Sequence, residues 1–372
     1  ICGRKNDFLF MKTDNTENVL MDVLGREVHG CGEQQERTLS LAELKGVMRL
    51  AKDHTVLGLV ANAVMEGRLK ITDDMSAEKQ KAVMTLMQVN VMHQRSYFQF
   101  EKAIAEFAAL MKKYSLKYVI FKGIAVARHY PVPYTRTMGD VDFYVPASDF
   151  NRAVAVIERE LQVNIEKEDI DKHYSFDYQG TRFEMHYQIE TFGSKRHQRY
   201  FNRMIEGAVT ADSFVLLPTE DLIVVFKHWF NHLLVEGVGL RQTVDLAVLM
   251  NVYKDRVDMA ALQSHLKRIG YWKAFRAMAA LTERYLGVEC ASEYCLLGVS
   301  DYRFADKLMA TVLESGNFGR RAYKSHSTGK MKSFETATRA LRHCVRFFRL
   351  APKDIFFLIP RRIGITLKQR MK

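Results

Sequence analysis

No stretch of these 372 residues approaches about 18 uninterrupted apolar positions, which argues against a membrane-spanning helix. The chain opens on Ile1 rather than Met, so residues are expected to precede it, and no charged-then-apolar leader is visible. Proline is scarce at 6 and glycine moderate at 21, so long disordered linkers are not expected. Low-complexity tracts and internal repeats are also lacking. The five cysteines (Cys2, Cys31, Cys290, Cys295 and Cys344) are odd in number and scattered, which disfavours a disulfide framework and a CxxC zinc site. Reduced thiols in the cytoplasm are the expectation. Acidic residues are nearly missing from one region only. Between Arg339 and Lys372 there are ten Lys or Arg against the single acid Asp354, so this tail supplies +9 of the net +12. A protein-wide nucleic-acid surface is therefore disfavoured, and any polyanion or anionic membrane is expected to meet the C-terminus.

What is present divides by hydrophobic period. Residues 1–39 are polar and irregular, and are expected to be partly disordered. From Ser40 the spacing turns helical, with Ser40 and Glu43 forming a capping-box signature. A long amphipathic stretch runs from Ala77 to about Tyr114. His54 and His93 within these helices read as core or surface histidines. Strand signals then appear at 117–121, 141–145, 174–178 and 182–189, with Gly180 suiting a hairpin turn between the last two. Beyond Arg196 the pattern is helical again, with Pro218, Glu220 and Asp221 marking one helix start and Gly270 following another helix end. The expected fold is α+β: a small mixed sheet at 116–195 between N-terminal helices (40–115) and a C-terminal helical domain (196–333). A basic amphipathic tail (334–372) follows. In that tail Arg339, Arg342, Arg346 and Arg349 share one face, while Leu341, Val345 and Phe348 form another that is expected to pack. Phe356-Phe357-Leu358-Ile359 and Arg361-Arg362 extend the basic, aromatic character.

Chemistry concentrates in 117–145 and 182–187. Asp140 and Asp142 flank Val141 on a strand, so both carboxylates are expected to face one way, a hard-oxygen pair suited to Mg²⁺. Arg182, Glu184 and His186 alternate onto one face of the later strand, and Glu184 can supply the third acid. Three acids on neighbouring strands need positive charge, and divalent metal, Arg182 or Arg136 could provide it. Two ions held about 3.5–4 Å apart by such acids suit in-line phosphoryl-type transfer. Lys122 and Gly123, at a strand-to-helix turn, can receive an anion through backbone amides and a point charge. The absence of GxxxxGK[ST] and of a usable GxGxxG disfavours P-loop and Rossmann readings. His228 and His232 lie four apart but lack the metalloprotease Glu, so a cleft wall or ordinary packing is favoured over zinc. Arg241 and Asp245, also four apart, are expected to bridge each other, with a cleft-facing Arg241 as the other option.

Phe121-Lys122-Gly123, Tyr130-Pro131, Pro133, Arg136, Asp140-Val141-Asp142 and Phe183-Glu184-Met185-His186-Tyr187 together resemble the uncharacterised nucleotidyltransferase family of the DNA polymerase-β-like superfamily. The resemblance extends to Pro218, Asp221, His228, His232, Arg241 and Asp245-Leu246, covering about residues 40–255. It implies a mixed sheet core and Mg²⁺-dependent transfer of a nucleotidyl group from an NTP, ATP being the expected donor, with two ions. Asp140, Asp142 and Glu184 would be the metal-binding acids. Lys122 and Gly123 would form the phosphate-binding turn, standing where the superfamily usually has Gly-Ser, with Arg136 and His186 as further nucleotide-site residues. The acceptor would be a small molecule or a protein side chain, with nucleic acid disfavoured. The competing reading is a non-catalytic nucleotide-binding or scaffold protein linked to surface polysaccharide synthesis.

Overall fold

The computed structural model describes residues 15–30, 36–167, 173–209, 214–289, 291–319, 321 and 330–358. Cys2, Cys31, Cys290, Ile359 and Arg361-Arg362 lie outside the described residues, whereas Cys295 and Cys344 are free and buried. The chain begins with α1 (Asn15–His29), β1 (Arg37–Leu39), α2 (Leu41–Asp53), α3 (Leu57–Met65), β2 (Leu69–Ile71) and α4 (Ala77–Lys113). The sheet region holds β3 (Val119–Ile120), α5 (Gly123–Ala127), β4 (Val141–Tyr144), α6 (Phe150–Leu161), β5 (Glu166–Lys167), β6 (His173–Tyr178) and β7 (Thr181–His186). Then come α7 (Lys195–Ala208), α8 (Pro218–Val235), α9 (Leu240–Tyr253), α10 (Met259–Arg268) and α11 (Trp272–Leu286). The last described helices are α12 (Ala291–Tyr294), α13 (Val299–Ser315) and α14 (Lys330–Phe347). This is the mixed α+β fold that the alternation of periods implies.

Five strands form the central sheet in the order β3-β4-β7-β6-β5. Only the β4–β7 pairing is parallel; β3–β4, β7–β6 and β6–β5 are antiparallel. Gln179 and Gly180, both at positive φ, make the tight turn joining β6 to β7. Alternation along the strands separates the two faces of the sheet. Val141, Phe143, Phe183 and Met185 turn inward with Phe176 and pack on Phe107 of α4 and Ile157 of α6. The opposite face carries Asp142, Glu184 and His186, and is free to build a site.

The helices before and after the sheet share one core. Leu20 and Leu24 of α1 and Leu44 of α2 belong to the same buried cluster as Trp229, Phe230, Leu246 and Phe275. Residues 15–29 are therefore a helix rather than irregular chain, with Val19, Leu20, Val23, Leu24 and Val28 buried. Its polar positions (Asn15, Asp22, Arg26) hide the period from a composition reading. The Ser40–Glu43 capping box is present in full, Pro218 is the first residue of α8, and Gly270 follows α10 at φ 79°.

The C-terminal segment is more deeply built in than its charge suggests. α14 turns Ala340, His343, Cys344 and Phe347 to the interior, while Leu341, Val345 and Phe348, expected to pack, are exposed. The roll is fixed by His343, whose Nδ1 donates to the Leu233 carbonyl at 2.7 Å, and by the fully buried Phe347. Asp354, 1% exposed, accepts hydrogen bonds from the Gly193 and Ser194 amides and from the Tyr271 hydroxyl, and lies 3.7 Å from the fully buried Lys227. The one acid between Arg339 and Lys372 thus fastens this segment to the loop between β7 and α7.

Candidate active site

The site begins with strand register. Parallel pairing sets Asp142 of β4 opposite Glu184 of β7, and Tyr144 opposite His186. The two carboxylates are therefore side by side on the face away from the core. His186 Nε2 lies 2.7 Å from Asp142 Oδ1 and 3.8 Å from Glu184 Oε2. One ligand atom from each of Asp142, Glu184 and His186 falls within 4.8 Å of the others, the one group of metal-ligand type among the described residues. Two hard oxygens and an imidazole nitrogen fit a divalent cation. His228 and His232 meet edge to face, 4.3 Å between ring centres, and belong to no such group among the described residues.

Asp140 stands differently from the strand-face expectation. β4 begins at Val141, so Asp140 sits one residue before the strand, outside the closest group. It remains near enough to interact: burial and then the Asp142 charge push its carboxyl upward, while Lys122 and Arg241 oppose them. Burial also works to raise Asp142, but Lys122 and the hydrogen-bonded His186 outweigh it and hold that carboxyl well below the usual range. Of the cations considered from sequence, Arg182 is not the compensator. It is taken up by Glu166, Asp177 and Ser175 along the sheet.

Lys122 does that work, and its position is costly. Its backbone adopts φ 56° and ψ −149°. For a residue with a Cβ this is close to a glycine-only region, costing on the order of 1–3 kcal/mol. Gly123 follows at φ 32°, and a Cβ there would come within 3.2 Å of the Asp140 carbonyl oxygen. Glycine thus allows the turn to press against the backbone that carries Asp140. Lys122 Nζ lies 3.8 Å from Glu190 Oε1 and 4.7 Å from the centre of the Phe121 ring.

Glu190 was not singled out by its sequence, and it links the sheet to α8. It is 4% exposed, accepts a hydrogen bond from Asn231, and lies 3.0 Å from His228 Nδ1. Burial and the nearby Lys122 charge push the His228 imidazole down to about 3, so it is neutral at physiological pH and its Nδ1–H donates to Glu190. The signal available was a fourth acid six residues after Glu184, beyond the end of the strand.

The family model described as uncharacterised nucleotidyltransferase matches residues 41–287, more than half of the chain. This chain belongs to that family. Searches of curated proteins and of solved structures give no match. Membership supports a nucleotidyl transfer activity, with a nucleoside triphosphate as substrate.

Arg136 and Asp245 of this family member meet each other, where the four-residue spacing suggests an Arg241–Asp245 bridge. Arg136 is not a free cation for the nucleotide: it makes a bidentate pair with Asp245, at 2.7 and 2.8 Å, and both side chains are nearly buried. The Tyr130 hydroxyl donates to the same carboxylate at 2.6 Å. Asp245 therefore bridges to Arg136 and not to Arg241, because the loop before β4 lies against α9. Arg241 is left with the Thr137 carbonyl at 3.3 Å, and its buried Nε has no hydrogen-bond partner among the described residues. Replacing Arg136 with Leu should destabilise the protein by about 3–5 kcal/mol, because a buried carboxylate loses its partner. Urea unfolding measures this. An unchanged midpoint combined with weaker nucleotide binding would instead return Arg136 to the nucleotide site.

Proposed function

We propose that this chain transfers a nucleoside monophosphate from an NTP, with ATP the expected donor, to a small-molecule or protein acceptor in the cytoplasm. The observation that carries the reading is the register pair Asp142 and Glu184, set beside His186 and facing Lys122. Asp142 and Glu184 would hold Mg²⁺, with His186 beside them and Asp140 at the rim available to a second ion. When bound, the metal supplies positive charge to the phosphate oxygens and lowers the pKa of a coordinated hydroxyl.

The chain's own residues would bind and orient. An acceptor hydroxyl oxygen attacks the α-phosphorus and releases its proton to water as the bond to the pyrophosphate oxygen breaks, and pyrophosphate carries away the electron pair. Lys122, braced by Glu190 and the Phe121 ring, offers a fixed charge beside the acids. Arg241, with an unpartnered Nε and an electrostatic influence on Asp140, is the second cation suited to the triphosphate. Arg136, held by Asp245, shares the Thr137 carbonyl with Arg241.

The exposed C-terminal face supports a peripheral contact with anionic lipid as part of the same proposal. Leu341, Val345 and Phe348 form an exposed apolar stripe beside the exposed Arg342, Arg346 and Arg349. No helix among the described residues is long and apolar enough to cross a membrane. An interfacial helix of this composition binds by apolar burial plus attraction to anionic headgroups.

Incubation with labelled NTP, Mg²⁺ and cell extract should give label transfer that falls at least about 100-fold in Asp140→Ala/Asp142→Ala. Arg241→Ala should chiefly raise the KM for NTP. Equal transfer by wild type and the double variant would sink the acid assignment, and NTP binding without any transfer favours the scaffold reading. For the lipid contact, wild type should sediment with phosphatidylserine vesicles and not with phosphatidylcholine, and Val345→Glu/Phe348→Glu should stay in solution. Sedimentation unaffected by that substitution removes the lipid contact.

A further inference from the structure

Outside the acid cluster, a concentration of positive charge lies on α7. On α7, Arg196, Arg199 and Arg203 recur at three- and four-residue spacing, on the side opposite the buried His197, Phe201 and Ile205. Arg268, from the last turn of α10, meets them across a cavity of about 210 Å³ that Tyr200 also lines. The cavity's framework is braced. The Arg268 guanidinium lies 4.6 Å from the centre of the Tyr200 ring, and the Tyr200 hydroxyl is 2.7 Å from His265 Nδ1.

Several other arginines of this protein are matched: Arg68 with Glu27, Arg128 with Glu101, Arg284 with Asp306. Among the described residues, none of the four cavity arginines has a carboxylate within 4.0 Å. Like charges at three- and four-residue spacing oppose a helix. Guanidinium forks are suited to holding phosphate oxygens in pairs, and a concave site strengthens the shared field. Four fixed cations exceed what a single phosphate carries, and the cavity is small.

We propose that the cavity between α7 and α10 binds a compact anion carrying two or more phosphate groups, at a site distinct from the acid cluster. The separation follows from the helix itself. Gln198, on the other side of α7, donates to the Glu190 carbonyl at 3.0 Å and to Asn202 at 2.8 Å. The arginine side therefore lies across the helix from the side anchored to the active site. A ligand there touches none of Lys122, Asp142 or Glu184.

Calorimetry on the full chain without divalent metal tests this, with tripolyphosphate, inorganic phosphate and a single-stranded oligonucleotide as separate probes. Tripolyphosphate should bind wild type and Lys122→Gln alike, since the latter removes an active-site cation and leaves all four cavity arginines in place. In Arg199→Gln/Arg203→Gln its affinity should fall at least tenfold, with an unchanged circular dichroism spectrum because both side chains are exposed. Inorganic phosphate should bind at least tenfold more weakly than tripolyphosphate. Binding that survives the double arginine substitution, or that disappears in Lys122→Gln, overturns the proposal. So does equal affinity for inorganic phosphate. An oligonucleotide held by these arginines more tightly than tripolyphosphate replaces the compact anion with a nucleic-acid backbone.

Discussion

Two carboxylates set side by side by a parallel strand pair are the constraint on which the rest of this structure depends. Hydrogen bonding between β4 and β7 leaves Asp142 and Glu184 no choice of separation, since their Cα positions are register partners. The inward residues, Val141, Phe143, Phe183 and Met185, are fully buried, so a one-residue slip would drive acids into the core. Like charges held this close demand nearby cations. Lys122 answers that demand within the chain, the His186 imidazole hydrogen-bonds Asp142, and the donor set suits a divalent ion when one is bound.

The helical body can be understood as the support for those cations. Lys122 keeps a backbone conformation foreign to lysine because the buried β3 precedes it and Gly123 packs on the Asp140 backbone. Glu190 joins its ammonium to His228 and Asn231 of α8. Arg136, Asp245 and Tyr130 clamp the loop before β4 onto α9. Asp354 then locks the C-terminal segment to the loop after β7, next to Lys227. Helices from both ends of the chain therefore hold one small sheet at a defined angle, and strain is kept at the site where charge is needed.

The fold class was legible because period changes are local: helical spacing from Ser40, strand signals at 117–121, 141–145 and 174–189, helical spacing again after Arg196. The pair Asp142 and Glu184 could be read for the same reason, since alternation assigns their face. What could not be read depends on contacts distant in sequence. Asp245 is 109 residues from Arg136, and a four-residue spacing to Arg241 offered a nearer but wrong partner. The roll of α14 is set by a Leu233 carbonyl and a buried Phe347, not by the sharper apolar stripe Leu341, Val345 and Phe348. Asp140 was placed on the strand because a one-residue difference in where β4 starts leaves no mark in the sequence.

The account stands most directly on metal binding at the register pair. Electron paramagnetic resonance with Mn²⁺ as the probe, in the presence of a non-hydrolysable NTP, measures it without requiring the acceptor. Wild type should bind Mn²⁺ with phosphorus coupling from the nucleotide, Mg²⁺ should displace it, and Asp142→Asn/Glu184→Gln should abolish the bound signal. An unchanged signal in that variant would contradict the assignment of the metal to these two strands.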